Sequence, residues 1–137
     1  AETKDYKSIC RLLTDNDLPL KGVKASLSHF IVKKAEDGII GVAGMELYPP
    51  DGLLRSVAVE QSKRYSGIGA ELCADLLEKA GLWGISNVYL LTTTASDFFH
   101  KLGFEKTDRD STPKSIQLTE EFSNLCPSSA TCMIKTV

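Results

Sequence analysis

Two kinds of apolar spacing alternate along this chain, and they predict its helices and strands. Apolar residues recur every three or four positions in Asp5–Thr14 and in Gly67–Leu82, which is the period of an amphipathic helix. Short apolar runs bounded by glycine, proline or polar residues predict strands instead. The six predicted strands are one that begins with Phe30–Val32, then Ile39–Tyr48, Leu53–Val59, Val88–Thr92, Phe104–Thr107 and Thr131–Lys135.

Turn and breaker residues place the shorter elements between these runs. Leu18-Pro19 ends the first helical pattern, and a short helix is predicted over Gly22–His29. The sequence Glu36-Asp37-Gly38 predicts a hairpin turn, because a glycine after aspartate supplies the positive φ that tight hairpins need. A second turn is predicted at Pro49–Gly52.

The remaining signals concern helix ends and close packing. Thr94 and Asp97 have the spacing of a capping box and predict the start of a short helix that Gly103 ends. Pro113–Gln117 predicts a single helical turn. Gly41 and Gly44 leave room in the second strand for a packed helix or a bulge.

The order of these elements defines the fold class. An antiparallel meander is followed by strand, helix, strand, helix and strand, which is an α+β order with a crossover in the middle. No internal repeat or linker interrupts residues 1–137, so we expect one domain with its own core.

Composition excludes several classes of function. The chain is 42% hydrophobic and 25% charged, as globular domains are, and its net charge of −2 gives no electrostatic basis for binding nucleic acid. No apolar run is long enough to span a bilayer and no signal peptide is visible, so no membrane association and a cytoplasmic location are expected. The cysteines are Cys10, Cys73, Cys126 and Cys132, and they lack metal-ligand spacing, so no metal is predicted. Cys126 and Cys132 could approach one another, but reduced thiols are predicted for a cytosolic protein.

A strand, a glycine-containing turn and a helix start follow one another between Leu53 and Leu82. Gly67 and Gly69 remove side chains where a backbone could approach an anion, and the first N–H groups of the helix have no partner within it. Arg64 adds a positive charge. This arrangement suits a diphosphate, although glycines that merely ease a tight turn would produce the same spacing.

Two motifs carry a resemblance to a known family. Arg64-x-x-Gly67-x-Gly69-Ala70, which follows a Val-x-Val strand, resembles the acetyl-CoA loop of the GNAT superfamily of N-acetyltransferases. Ala95–Phe104 is similar to the signature Ala-x-x-x-Tyr-x-Lys-x-Gly-Phe of that family. The resemblance implies a mixed, mostly antiparallel sheet of six to seven strands, splayed between two central strands and flanked by about four helices.

The same resemblance implies acetyl-CoA as co-substrate, no metal, and a small-molecule amine as acceptor. A homodimer is left open. The residues expected to bind the cofactor are Val57, Ala58, Val59, Arg64, Tyr65, Ser66, Gly67, Ile68, Gly69, Ala70 and Phe98.

Glu46 is the candidate catalytic base, because it is the only carboxylate between Gly38 and Pro49. The alternative is a solvated glutamate that faces outward. A backbone N–H near Val57–Val59 is expected to stabilise the oxyanion. Phe99 occupies the position of the family's tyrosine and cannot protonate the leaving thiolate. The alternatives are a proton from Tyr65, Ser66, Tyr89 or water, or a thiolate that leaves unprotonated.

The candidate acceptor site contains cations and hydroxyl groups. Arg55, inside an apolar strand, needs an anionic partner, which is either Glu46 in a structural ion pair or an acceptor carboxylate. Ser56 adjoins it. Thr92 and Thr93 end an apolar strand where α/β sheets present ligand contacts, although β-propensity alone would also account for them. Arg109 either closes over an acidic acceptor or belongs to a solvated turn.

A longer resemblance bears on the identity of the acceptor. It is carried by the segments Leu53–Ser56, Leu90–Ala95, Phe98–Phe104 and Glu121–Met133. Together they look like the small N-acetyltransferases of bacterial arsenic-resistance operons, which implies detoxification of a glutamate-like organoarsenical by N-acetylation. The alternatives are acetylation of a protein or polyamine, a catalytically silent acyl-CoA-binding module, and an arsenic sensor that uses Cys126 and Cys132.

Overall fold

The computed structural model describes residues 2–18, 20–36, 38–61, 67–93, 95–119 and 130–137. Four α-helices lie within these ranges: α1 (Tyr6–Asp15), α2 (Ile68–Leu82), α3 (Ser96–Lys101) and α4 (Lys114–Gln117). The six strands in the same ranges are β1 (Phe30–Ala35), β2 (Gly38–Tyr48), β3 (Asp51–Val59), β4 (Asn87–Thr92), β5 (Glu105–Lys106) and β6 (Thr131–Thr136). All six predicted strands are therefore confirmed.

The strands form one mixed sheet in the order β1-β2-β3-β4-β6-β5. The ladders β1–β2, β4–β6 and β5–β6 are antiparallel, whereas β3 and β4 are parallel and α2 connects them. The β3–β4 ladder pairs Asp51–Leu53 with Asn87–Tyr89, at the start of each strand. This mixed six-stranded sheet with four α-helices in the described ranges confirms the predicted α+β fold class.

Tertiary contacts divide the chain into two compact units, and the first consists of residues 1–46 and 55–77. In α1 the buried positions Ile9, Leu12 and Leu13 follow the helical period, so this face packs inward. The core of this unit contains Ile9, Leu12, Leu13, Val23, Leu27, Phe30, Val42 and Ala58.

The second compact unit consists of residues 47–54 and 78–137. Its core contains Leu53, Tyr89, Leu91, Ile116, Ala130 and Cys132. Gly103 has φ +98° and follows Leu102, the C-cap of α3, as predicted for a residue that ends a helix. The Lys135 ammonium donates a hydrogen bond of 3.0 Å to the carbonyl of Leu102 and so satisfies one of the last acceptors of this helix.

Three local predictions need correction. Gly22–His29 is not a continuous helix, because Gly22 has φ +85° and only Leu27–His29 forms a 3₁₀ turn. Strand β3 begins at Asp51, so the predicted turn at Pro49–Gly52 is shorter. The N-cap of α3 is Ala95 rather than Thr94, which lies outside the described residues together with Asp37 of the hairpin turn. In the ranges described, no helix is long and apolar enough to cross a membrane.

Candidate active site

A buried ion pair joins β2 and β3 inside the first compact unit. Arg55 Nη1 donates a hydrogen bond of 2.6 Å to Oε2 of Glu46. The Arg55 side chain is 1% exposed and that of Glu46 is 14% exposed. The structural ion pair between Arg55 and Glu46, which was one of the two predicted alternatives for Arg55, is therefore present. Glu46 is neither fully solvated nor completely shielded from water. A role for Arg55 toward an acceptor carboxylate stays a prediction.

Backbone geometry next to this pair is unusual for a strand. Ser56 has φ +58°, a left-handed conformation that non-glycine residues seldom adopt, and its side chain is buried. Its Oγ accepts a hydrogen bond of 3.0 Å from Nε of Arg55. Residues in sparsely populated regions persist where surrounding contacts hold them, and they concentrate at functional sites. The structure thus brings together three residues that the sequence analysis assigned to the base and the acceptor site.

The end of β3 provides the expected cofactor strand. Val57 and Val59 are half-buried and Ala58 is buried in the core of the first unit. After the strand ends, Glu60 N–H donates a hydrogen bond of 2.8 Å to the carbonyl of Ile40, which ties the exit of β3 to β2.

Helix α2 begins at Ile68, directly after Gly67, which is exposed and has φ +85°. A Cβ on Gly67 would meet nothing within 4 Å, so the backbone at this point is open. The first turn of the helix, Ile68–Ala70, contributes N–H groups that helix geometry leaves without a partner inside the helix. These amides and the positive helix end favour an anion. Arg64, Tyr65 and Ser66 lie outside the described residues.

A close approach at Gly41 places the start of α2 against the sheet. A Cβ at this position would lie 2.8 Å from Cδ1 of Leu72, 3.0 Å from Cγ2 of Ile68 and 3.6 Å from the carbonyl oxygen of Ala58. The prediction that Gly41 leaves room for a packed helix is confirmed. The absence of a side chain at Gly41 therefore lets the first turns of α2 lie beside the end of β3.

The aromatic residues of α3 form a packed cluster. Phe99 is buried, and its ring packs edge-on against Phe98 at 5.1 Å and Phe104 at 5.8 Å. Phe98, a predicted cofactor residue, is half-buried. Phe99 therefore acts as a core residue here and offers no proton to a thiolate.

The other predicted acceptor residues belong to the second compact unit. Thr92 Oγ1 accepts a hydrogen bond of 3.0 Å from the Ala95 N–H, so this hydroxyl supports the turn before α3. Thr93 is exposed and Arg109 is half-buried in a 3₁₀ turn. Tyr89, a candidate acid, is buried, and burial raises the pKa of its hydroxyl, with a further contribution from the Asp51 carboxylate. These roles stay predictions.

Two of the described cysteines, Cys73 and Cys132, are buried, whereas Cys10 is half-buried. Burial raises the pKa of the Cys73 thiol to about 12 and that of Cys132 to about 11. Such thiols carry little thiolate at neutral pH and are poor nucleophiles and metal ligands. Over the part of the chain that the structure describes, no group of three or more His, Cys, Asp or Glu side chains could hold a metal ion. Cys126 of the proposed sensor lies outside that part.

Gly22 is a site residue that the sequence analysis missed. A Cβ at Gly22 would lie 2.9 Å from Nη1 of Arg55 and 3.7 Å from Oε2 of Glu46. The sequence did contain one indication of this, because glycine is a poor helix former and Gly22 begins the predicted helix Gly22–His29.

Comparison with known proteins defines the class of this chain. A family model described as an acetyltransferase (GNAT) domain matches residues 26–106, more than half of the chain. The chain therefore belongs to the GNAT acetyltransferase domain family.

Curated relatives of the chain are amino-acid acetyltransferases. The chain is 31% identical over 97 residues to an amino-acid acetyltransferase of Pseudomonas syringae pv. syringae, with 68% of this chain and 22% of the relative covered. It is 25% identical over 91 residues to an amino-acid acetyltransferase of Neisseria meningitidis serogroup B, with 65% and 21% covered. The chain thus spans about a fifth of the length of these relatives.

Solved structures show the same fold. N-acetylglutamate synthase from Neisseria gonorrhoeae, complexed with coenzyme A and N-acetyl-glutamate, superposes with a TM-score of 0.84 at 19% identity, covering 99% of this chain and 34% of the other. Rv2747 from Mycobacterium tuberculosis, in complex with CoA and NLQ, gives a TM-score of 0.79 at 20% identity, covering 100% and 96%. At these identities the likeness establishes the fold alone.

Proposed function

We propose that this chain transfers the acetyl group of acetyl-CoA to the α-amino group of a small amino acid with an acidic side chain. The observation that carries the proposal is the start of α2, which is open at Gly67 and packed beside the end of β3 through Gly41. In this family a strand followed by such a helix start is the place of acetyl-CoA, and two of the solved structures of similar fold contain coenzyme A.

The first turn of α2 would bind the diphosphate of the cofactor. The N–H groups of Ile68, Gly69 and Ala70 supply hydrogen bonds and the positive end of the helix dipole. Arg64, Tyr65 and Ser66 are proposed to complete this loop. The pantetheine arm would follow Val57–Val59, and Phe98 is proposed as a further contact.

Glu46 would take the proton that the acceptor must lose. An α-amino group titrates at about 7.7–8.0, so a base is required near neutral pH. One proton passes from the ammonium to Glu46, and the nitrogen then attacks the thioester carbonyl. The C–S bond breaks to release the thiolate of coenzyme A, and the second proton of the nitrogen passes to that thiolate or to water. A backbone N–H of Val57 or Ala58 would stabilise the oxyanion, beside the left-handed Ser56.

Arg55 would orient Glu46, because its guanidinium already donates to that carboxylate. Cations and hydroxyl groups would recognise the acidic side chain of the acceptor. The proposed residues are Arg55 and Ser56 in the first unit and, as separate candidates, Thr92, Thr93 and Arg109 in the second. Glutamate is the first acceptor to test, since N-acetyl-glutamate occupies one similar structure. An arsenic-containing glutamate analogue belongs to the same chemical class and is proposed as the second.

Release of free thiol from acetyl-CoA, measured with a panel of amines, tests the proposal. We expect turnover with glutamate-like amino acids, and Glu46→Gln should lower kcat by about 10²–10⁴-fold with the calorimetric affinity for coenzyme A unchanged. Glu36→Gln, an exposed carboxylate on the same compact unit, is the matched control and should retain full turnover.

Each other result points to a different function. Affinity for coenzyme A without turnover on any amine would mean a silent binding module. Preference for spermidine or a lysine peptide over glutamate would mean a polyamine or protein acetyltransferase. Equal kcat in Glu46→Gln and the parent chain would remove Glu46 from the mechanism.

A further inference from the structure

The turn between α1 and β1 lies directly on the buried ion pair. Gly22 has φ +85°, and the position of its missing Cβ is 2.9 Å from Nη1 of Arg55 and 3.7 Å from Oε2 of Glu46. Its carbonyl accepts a hydrogen bond of 3.2 Å from the Ser26 N–H, which holds the turn in place. All of these contacts lie within the first compact unit.

Two independent constraints favour glycine at this position. The left-handed backbone conformation disfavours any residue with a Cβ, although asparagine tolerates it better than most others. Ordinary contacts of a Cβ begin at about 3.4 Å, so a side chain here would also have to displace the guanidinium of Arg55. That guanidinium is 1% exposed and has little space to move.

A displaced guanidinium would disturb Glu46. The bond from Nη1 to Oε2 is 2.6 Å long, and Nε is held by Ser56 Oγ at 3.0 Å. Movement of Nη1 away from Gly22 therefore changes the orientation of the carboxylate or breaks the pair. A misplacement of about 1 Å at a reacting group is enough to lower a rate by about 10²-fold.

We propose that Gly22 is a positioning residue for catalysis: its bare backbone holds Arg55 on Glu46 and thereby orients the carboxylate that accepts the proton of the amine. This inference rests on the proposed function of Glu46. It assigns a role to the early turn, for which the sequence predicted no site residue.

Gly84 offers a matched control for the backbone constraint. Its φ is +83°, and a Cβ added there would meet nothing within 4 Å. Gly22→Ala and Gly84→Ala therefore share the cost of the left-handed conformation, but only the first contacts the ion pair. Gly22→Asn and Gly84→Asn repeat the comparison with a residue that tolerates this conformation better.

Steady-state kinetics with acetyl-CoA and glutamate provide the test. We expect Gly22→Ala to lower kcat by about 10²-fold with the KM for acetyl-CoA within about twofold, and Gly22→Asn to be no better. Both Gly84 variants should keep the parental kcat. In an Arg55→Met background, where the obstructed group is gone, Gly22→Ala should add little to the loss in kcat.

The outcomes separate this inference from the proposed function. The positioning role would be overturned, while acetyl transfer stands, by a parental kcat in Gly22→Ala. It would also be overturned if the fold-loss in kcat of the Gly22→Ala, Arg55→Met double variant equalled the product of the two single fold-losses. Recovery of kcat in Gly22→Asn would overturn it too, because backbone strain alone would then explain the alanine variant. A parent chain without turnover on any amine overturns the catalytic role together with the proposed function. In that case the non-additivity of Gly22→Ala and Arg55→Met in urea unfolding still reports whether the contact exists.

Discussion

The buried ion pair between Glu46 and Arg55 makes a quantitative prediction about stability. Removing one partner of a buried pair costs about 3–5 kcal/mol, because the other charge is left uncompensated in a poorly solvated site. Arg55 is 1% exposed, so Glu46→Gln removes a carboxylate charge from beside a guanidinium that water hardly reaches. Glu46 is 14% exposed and glutamine keeps an acceptor oxygen, so we expect a smaller loss of about 2–4 kcal/mol. At roughly 3 °C per kcal/mol, Tm should fall by about 6–12 °C.

A double-mutant cycle isolates the interaction. Glu46→Gln, Arg55→Met and the double variant are compared by urea and thermal unfolding, and the double variant should lose at least about 1 kcal/mol less than the sum of the single losses. The exposed pair of Lys33 and Glu71, 3.2 Å apart with side chains 43% and 55% exposed, is the control. Its cycle should yield no more than about 0.5 kcal/mol. The reasoning would be refuted if the stability lost by the double variant equalled the sum of the losses in Glu46→Gln and Arg55→Met to within about 0.5 kcal/mol.

Two further predictions concern the helix start and the buried thiols. Gly41→Ala should weaken coenzyme A binding about tenfold in calorimetry, because the new methyl group pushes Leu72 and the first turns of α2 away from β3. Gly81→Ala is the control, since a Cβ there has open space around it, and this variant should bind coenzyme A with the parental affinity. Equal affinities in the two variants would contradict the packing argument. The raised thiol pKa values, about 12 for Cys73 and about 11 for Cys132, mean that the folded chain holds these protons more tightly. Below the ordinary thiol pKa of 9.0 these groups leave the free energy of unfolding unchanged, and this free energy should fall as pH rises through about 11. Replacing both cysteines with alanine should make this fall smaller. A fall of the same size in the double alanine variant would show that other groups cause it.

Much of the fold could be predicted from periodicity, because burial imposes a period that a sequence records directly. The stripe along α2 and the run in β3 are examples, and both elements occur where the pattern placed them. The early turn was mispredicted as a helix. Whether a glycine adopts positive φ depends on what packs against it, and at Gly22 the neighbours come from β2 and β3.

The candidate site was predictable in its residue types and less so in its contacts. Glu46 stood out as a lone carboxylate in an apolar strand, and Arg55 as a lone cation in another. No local pattern indicated the left-handed Ser56, because its conformation is maintained by surrounding contacts. That Phe99 lacks a hydroxyl was evident from its identity, whereas its packing against Phe98 and Phe104 was not.

By itself the sequence determined the order of strands and helices, the glycine that precedes α2 and the membership of the chain in its family. These properties are encoded in the spacing of neighbouring residues, so a linear pattern is enough to read them. Only the tertiary structure decided that Arg55 pairs with Glu46 and that Gly22 lies against both. Residues 22, 46 and 55 come from a turn and two strands, and the distances between their atoms exist only once those segments have folded together.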